Sequence, residues 1–270
     1  MRSKNLAPPP QTVDAELLGW NKPVERLHQA LERDELALFC QPIAALAGAV
    51  RFPMAEVLIR LHEEEKALLP PGEFLPIFEH YRLMPDLDRW VVRKVAQHVA
   101  RGSRIPRFTL NVSSQTLEDA AFPKAVKFEL ASVGVHGTAI HFEIPENETL
   151  ARLEAAVRFS TAVRAEGCGI MVSGFGRRTA TFLPLKTLRP DYVKVDGVIV
   201  RKLLSAPAAE AKLKAILRVG EVMGFQVIAE MVEDQDILTR LKALGVGFAQ
   251  GFGIQQPYPI EHMAGEYRAP

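Results

Sequence analysis

Short, nearly continuous apolar segments recur along the chain, and longer amphipathic segments lie between them. The apolar segments predict eight strands, because runs of this length without strict alternation are typical of strands buried on both faces. Helical periodicity, with helix-ending glycines such as Gly134 and Gly167, predicts helices in the segments between them. Strand and helix alternating in this way predict an α/β fold, a (β/α)8 TIM-like barrel, with a doubly wound open sheet as the alternative. The predicted strands are 36–43, 55–61, 108–113, 139–146, 169–176, 192–197, 225–232 and 248–254.

The connection between the first two predicted strands is unusually short. Only about eleven residues, AALAGAVRFPM, separate them. This length cannot hold a crossover helix and its two loops, and Gly48 supplies a turn. We therefore expect the first strand to run antiparallel to the second.

The two ends of the chain differ in character. Residues 1–20 contain three consecutive prolines and predict a flexible N-terminal tail, whereas 21–265 predict one barrel domain that opens with a helix at 21–34. No apolar run approaches the roughly 18 residues needed to cross a bilayer, so we predict no membrane insertion.

Composition narrows the classes of partner. The 270 residues are 48% hydrophobic and carry a formal net charge of +1. This balance gives no global attraction to a nucleic acid polymer or to an anionic membrane. The two cysteines, Cys40 and Cys168, lie in apolar segments and are predicted to be buried free thiols, which fits a reducing cytosol and a cytoplasmic protein.

Polar residues lie within or near the C-terminal end of every predicted strand. A charge inside a buried strand is costly unless it is paired or bound to metal, and in a barrel these positions converge on the mouth that holds the active site. Any one of them alone is explained by a satisfied buried ion pair, but the set predicts a functional site. The set comprises Gln41, Glu56, Arg60, Asn111, Glu143, Glu146, Ser173, Lys194, Asp196, Glu230, Glu233 and Gln250.

Six of these residues form an oxygen-rich group with one amine. Hard oxygen ligands favour Mg²⁺ or Mn²⁺ over zinc, and the seven histidines do not show zinc-like spacing. The six are Glu56, Asn111, Glu143, Lys194, Asp196 and Glu230.

Motifs spread over residues 35 to 260 give these positions a family context. The chain resembles the EAL domain family, the cyclic di-GMP phosphodiesterases, whose name-giving triplet appears here as EVL. Each motif alone is weak, but together, in order and with sensible gaps, they are specific. They are QPI (41–43), EVL (56–58), GEFLPIFE (72–79), LNVSSQTL (110–117), FEIPEN (142–147), VKVD (193–196), VIAEMVE (227–233) and AQGFGIQQP (249–257).

The resemblance implies a barrel with an antiparallel first strand and a role for each matching residue. In active members, two divalent metals activate a water that opens cyclic di-GMP to the linear dinucleotide. The implied first-metal ligands are Glu56, Asn111 and Glu143; Lys194 and Glu230 surround the water with Asp196 nearby; Gln41, Leu58, Arg60 and Gln250 match nucleotide-binding positions; and Glu146 and Glu233 support the following loop.

The segment GIMVSGFGRR departs from the family pattern. Ser173 and Gly174 stand where the family has two consecutive aspartates before Phe-Gly, one for each metal. We expect the second metal to be absent and hydrolysis to fall by orders of magnitude. Arg177 and Arg178 add positive charge that could reach a phosphate, unless they are only exposed loop residues.

Three functions fit these observations. The expected one is a non-hydrolysing cyclic di-GMP receptor that needs no cofactor for binding and signals through a protein partner. The first alternative is a protein-interaction module that no longer binds nucleotide. The second is a residual phosphodiesterase dependent on Mg²⁺ or Mn²⁺. A homodimer is a further option, because family members often dimerise near the altered loop.

Overall fold

Eight strands close into a barrel in the computed structural model, which describes residues 20–62, 68–177 and 182–265. A ninth short strand extends the sheet beside the first. The strands are β1 (Leu36–Ala45), β2 (Met54–Leu61), β3 (Phe108–Asn111), β4 (Ile140–Pro145), β5 (Gly169–Phe175), β6 (Tyr192–Val195), β7 (Gln226–Ala229), β8 (Phe248–Ala249) and β9 (Tyr258–Pro259).

The pairing of β1 closes the barrel. Strands β2 to β8 pair with their neighbours in parallel, and β1 pairs antiparallel with both β2 and β8. The predicted barrel and its antiparallel first strand are therefore confirmed, and the open-sheet alternative is wrong. The short connection at 46–53 leaves β1 and β2 no geometry other than a hairpin.

Three segments predicted to be helical each hold two helices: those between β3 and β4, between β4 and β5, and between β6 and β7. Asp119 is extended and its carboxylate accepts a bond from the Ala121 N–H, Arg152 has non-helical backbone angles, and Pro207 opens a new helix. Periodicity is similar on both sides of each break, so the pattern alone did not show it. The helices are α1 (Pro23–Glu32), α2 (Pro71–His80), α3 (Met84–Ala100), α4 (Ser114–Glu118), α5 (Phe122–Val133), α6 (Glu146–Ala151), α7 (Leu153–Ala165), α8 (Leu183–Leu188), α9 (Gly197–Arg201), α10 (Pro207–Met223) and α11 (Gln235–Ala243).

Most of the core lies between the barrel and its helices, where rings such as those of Phe122, Phe142 and Phe159 pack against one another. Cys40 and Cys168 are both buried and free, as predicted. In the part of the chain that the structure describes, no helix is both long and apolar enough to cross a membrane.

A second, smaller apolar cluster is formed by inward-facing residues of five strands. Its side chains pack together separately from the main core and form an apolar floor inside the barrel. In TIM barrels such residues stack in layers. The members are Ile43, Met54, Met171, Tyr192 and Ile228, with Phe248 against them.

Candidate functional site at the barrel mouth

A polar layer lies directly above the apolar floor. Side chains along a strand face the same side every second residue, so the residue two positions beyond each floor residue also points into the barrel. On the parallel strands this rule leads from Met54 to Glu56 and from Tyr192 to Lys194; β1 runs the other way, so it leads from Ile43 back to Gln41. The same rule reaches Ser173, Glu230 and Gln250, and Glu143 completes the layer through its contact with Lys194.

Lys194 is the centre of this polar layer. Its side chain is 1% exposed, and its Nζ lies 2.8 Å from Glu56 Oε2 and 2.6 Å from Glu143 Oε2. Burial pulls the pKa of Lys194 down, but the negative charges of Glu143, Glu56 and Glu230 outweigh burial and raise the pKa above its ordinary value. The residue is therefore a buried ammonium ion that joins β6 to β2 and β4.

Glu56 accepts bonds from three sides. Its Oε1 accepts a hydrogen bond from Asn111 Nδ2 at 2.9 Å. Its Oε2 accepts hydrogen bonds from Lys194 Nζ and from Gln250 Nε2, each at 2.8 Å. Burial by itself would raise the pKa of Glu56, but Lys194 and these hydrogen bonds lower it below its ordinary value. Glu56 is thus the ionised partner of the buried ammonium.

The other two carboxylates of the layer behave differently. Burial and the charge of Glu56 raise the pKa of Glu143, although Lys194 opposes the shift and the Thr109 hydroxyl donates to Glu143 Oε2 at 3.3 Å. Burial raises the pKa of Glu230 to about 8, again against Lys194. One ammonium ion therefore does not keep all three carboxylates fully charged near neutral pH.

A cavity of about 330 Å³ opens above this layer. Two residues in the wall of this cavity were not predicted as site residues from the sequence. Phe252 is 61% exposed, and Met231 is 46% exposed with a left-handed φ of 55°. Both lie inside motifs of the family, in 227–233 and 249–257, beside the polar residues predicted for the site. The cavity is lined by Gln41, Glu56, Glu143, Glu230, Met231, Glu233, Gln250, Gly251 and Phe252.

The β1–β2 hairpin continues the same face out of the barrel. Directly opposed residues share a face, and the register pairs Gln41 with Glu56, Phe39 with Leu58 and Ala37 with Arg60. The Arg60 guanidinium lies 5.5 Å from the Phe39 ring centre, and Arg60 Nη1 donates to the Ile59 carbonyl. The predicted nucleotide-binding residues of β2 therefore form a ladder that leads from the mouth to the outside.

Gln41 and Gln250 join this ladder to the closing strands. Gln250 Nε2 donates to Gln41 Oε1 at 3.2 Å, and Gln41 Nε2 donates to the Gln255 carbonyl at 3.1 Å. These bonds fix both amides at the edge of the cavity.

A second cavity, of about 340 Å³, lies at the end of β5. Here Glu146 Oε1 accepts the Gly176 N–H at 3.4 Å, so Glu146 is positioned to support the segment after β5. Asp196 lines this cavity, and its carboxylate accepts the Val198 N–H at 2.8 Å to cap α9. The remaining lining residues are Pro145, Asn147, Ser173, Gly174 and Arg177.

Two of the predicted site residues that the structure describes, Arg177 and Glu233, lie exposed on the cavity walls. Arg177 is exposed at the second cavity, and Arg178 lies outside the described residues. Glu233 is exposed on the wall of the first cavity, so its support of the neighbouring loop stays a prediction.

The donor set decides how well these residues fit a pair of divalent metals. Glu56 and Glu143 could each offer a hard oxygen, but the Lys194 ammonium already bonds to both. Ser173 is neutral and Gly174 has no side chain. Within the described residues, no three His, Cys, Asp or Glu side chains come together as a metal-binding group. β5 itself therefore offers no carboxylate to a metal site.

Fold and site together define the class: an α/β barrel with one antiparallel strand, whose mouth places carboxylates around a buried lysine. The chain belongs to the EAL domain family, whose model matches residues 24–257. It is 30% identical over 238 residues to the cyclic di-GMP phosphodiesterase PdeB of Shewanella oneidensis. That match covers 87% of this chain but only 28% of the relative's length.

Solved structures give the same assignment. The EAL domain of FimX from Pseudomonas aeruginosa, bound to c-di-GMP, superimposes with a TM-score of 0.82 at 26% identity, covering 88% of this chain and 96% of that one. The PaMucR phosphodiesterase in its c-di-GMP complex has a TM-score of 0.80 at 26% identity, over 89% and 99% of the two chains.

Proposed function

We propose that this chain binds cyclic di-GMP at the barrel mouth without hydrolysing it, and that it acts as a receptor which passes the signal to a protein partner. The observation that carries the proposal is the contrast within the mouth. The ladder of Gln41, Glu56 and Arg60 leads into an open cavity, whereas β5 itself contributes Ser173 and Gly174, neither of which carries a carboxylate.

Hydrolysis is the part of the family's activity that this mouth supports poorly. Metal-assisted hydrolysis lowers the pKa of a bound water from 15.7 to about 7, and a pair of metals stabilises both the attacking and the leaving oxygens. The resemblance places one aspartate for each metal at positions 173 and 174. A serine hydroxyl is a weak neutral ligand and glycine is none, so the second metal lacks its defining carboxylate.

Nucleotide binding is the part that the mouth retains. Cyclic di-GMP carries two negative phosphates, and a metal-free site with fewer carboxylates repels them less. The Arg60 guanidinium is half-buried on the outer rungs of the ladder, and guanidinium groups pair with phosphate in a bidentate manner. The c-di-GMP complexes of FimX and PaMucR support the choice of ligand for this chain.

A residual phosphodiesterase is the second candidate, because one observation favours it. Glu56, Asn111, Glu143 and Lys194 are joined in a single bonded cluster, with Glu230 on the wall of the same cavity. These are the positions that the resemblance assigns to the first metal and the attacking water.

A calorimetric titration with cyclic di-GMP, in EDTA and in excess Mg²⁺ or Mn²⁺, tests the proposal. The nucleotide is recovered afterwards and separated by chromatography. We expect the same dissociation constant in both buffers and intact cyclic di-GMP. Recovery of the linear dinucleotide would favour the residual phosphodiesterase. If neither buffer gives binding heat and no labelled nucleotide is displaced, the result would favour the protein-interaction module that does not bind nucleotide.

A further inference from the structure

The ammonium of Lys194 is the only feature of the described inner cluster that supplies positive charge. It lies between carboxylates from two other strands and is almost completely excluded from solvent. We propose that Lys194 is the resident cation of the barrel mouth and balances the charge that a divalent metal would otherwise balance there. This inference extends the proposed function to metal dependence, but it concerns the protein without nucleotide.

Charge counting supports this role. Glu56, Glu143 and Glu230 carry three formal negative charges when all are ionised, and Lys194 returns one positive charge. Aspartates at positions 173 and 174 would add two more negative charges and create a demand for further cations. Serine and glycine at those positions remove that demand, and affinity for hard cations falls as anionic ligands are lost.

Competition between Lys194 and a metal for the same carboxylate oxygens also supports this role of Lys194. Oε2 of Glu56 and Oε2 of Glu143 both bond to the Lys194 Nζ, while Oε1 of Glu56 accepts from Asn111. A metal that took these same oxygens would compete with the ammonium for them. An ammonium ion left buried without a partner is strongly destabilising, so the exchange is unfavourable.

Manganese binding without nucleotide tests the proposal. Bound Mn²⁺ is measured from the loss of the free-ion EPR signal, and melting temperatures are recorded in EDTA and in Mn²⁺. We expect no bound Mn²⁺ in the wild type and equal melting temperatures. Lys194→Met should melt lower in EDTA by on the order of 10 °C. It should also bind Mn²⁺ at least about tenfold more tightly than the wild type and recover stability with it.

Two further variants separate charge balance from simple packing. The double variant Lys194→Met with Glu143→Gln removes one charge of each sign, and its melting temperature should respond less to Mn²⁺ than that of the single variant. Lys94→Met is the matched control: Lys94 pairs with Asp34 at 2.6 Å on the surface, and its loss should leave Mn²⁺ binding unchanged.

Two results would overturn the proposal: stoichiometric Mn²⁺ binding that stabilises the wild type, or a Lys194→Met protein that is less stable yet gains no affinity for Mn²⁺. If Lys194→Met does not fold, the proposal is tested with Lys194→Arg and the wild type. Both keep a cation at this position, so Mn²⁺ should not change the melting temperature of either protein. No nucleotide is present in these measurements. A result that contradicts the role of Lys194 therefore does not contradict the proposed binding of cyclic di-GMP. In the same way, a failure to bind cyclic di-GMP does not contradict the role of Lys194.

Discussion

The two sides of the barrel mouth differ in how their side chains are bonded. On the side formed by β2, β4 and β6, Glu56, Glu143 and Lys194 hold one another in a buried ionic cluster. At the end of β5, Ser173 and Gly174 line a cavity, and neither residue carries a charge. The first side contributes ionic bonds to the cohesion of the barrel itself, whereas the second contributes a neutral hydrogen bond from Ser173 to Glu143.

This difference explains how the side chains at the end of β5 can change while the fold is kept. The bonded side connects strands that are far apart in the chain, so a change there affects stability as well as function. The β5 end contributes backbone pairing to β4 and β6, and this pairing does not depend on the side chains at 173 and 174.

The largest expected effect comes from breaking the bonded side. Glu56→Ala removes the acceptor for Lys194, Asn111 and Gln250 and leaves a buried charge poorly paired. We expect the free energy of unfolding to fall by about 3–5 kcal/mol, measured by urea denaturation.

Two variants complete that comparison. Ser173→Ala, at the β5 end, should cost no more than about 1 kcal/mol. Glu154→Ala, on the exposed surface of α7, should stay within about 0.5 kcal/mol of the wild type. Equal losses for Glu56→Ala and Ser173→Ala would show that the two sides do not differ as described.

The second prediction restores acids to the β5 end. Position 174 has a left-handed φ of 64°, and a Cβ built there meets no atom within 4 Å, so the site has room for a side chain. Asp is among the residues that best tolerate this conformation. Ser173→Asp with Gly174→Asp should raise Mn²⁺-dependent cleavage of cyclic di-GMP at least ~100-fold above the wild type, measured by chromatography.

The control for this gain has the same shape without the charge. Ser173→Asn with Gly174→Asn should show no increase in cleavage. A gain of similar size in both double variants would mean that the carboxylates at these positions are not what the wild type lacks.

The third prediction concerns the ladder on the β1–β2 hairpin. Arg60→Ala removes the guanidinium that we assign to a phosphate, and the dissociation constant for cyclic di-GMP should rise about 30-fold. Arg51→Ala is a matched control, because Arg51 lies 4.9 Å from the Phe52 ring in a similar cation–π contact in the hairpin connection. An equal loss of affinity in both variants would count against the ladder.

The smallest expected effect comes from a buried carboxylate away from the mouth that lacks a bonded ammonium. Burial raises the pKa of Asp88 from 3.8 to about 6, although bonds from Thr116 and Ser113 and the charge of Arg89 oppose the shift. Between about pH 4 and pH 6 the native state therefore holds more protons than the unfolded state, and stability falls as pH rises.

Asp88→Asn keeps an acceptor for these bonds and removes the titration. Its stability relative to the wild type should increase by about 1–2 kcal/mol between pH 4 and pH 7, measured by urea denaturation across the series. A difference that does not change with pH would show that Asp88 titrates normally.

The barrel could be predicted because its signal is local. Apolar runs set the strands, and the short connection before β2 fixed the direction of β1. The helix breaks at Asp119 and Arg152 depend on backbone angles that amphipathic periodicity does not record.

The contacts between side chains within the site could not be predicted from the sequence. Strand period brought the polar residues to one mouth, but the contact between Lys194 and Glu56 joins residues 138 positions apart and depends on the register of the closed barrel. The capping role of Asp196 and the cavity walls at Met231 and Phe252 likewise arise from packing between distant segments.

Anomalous scattering at the manganese edge tests the central claim most directly. A crystal of the wild-type protein is soaked in Mn²⁺ together with cyclic di-GMP. The account predicts an intact cyclic dinucleotide in the cavity and no pair of manganese peaks in the mouth. Two ordered peaks about 4 Å apart beside Ser173, with the dinucleotide opened, would contradict it.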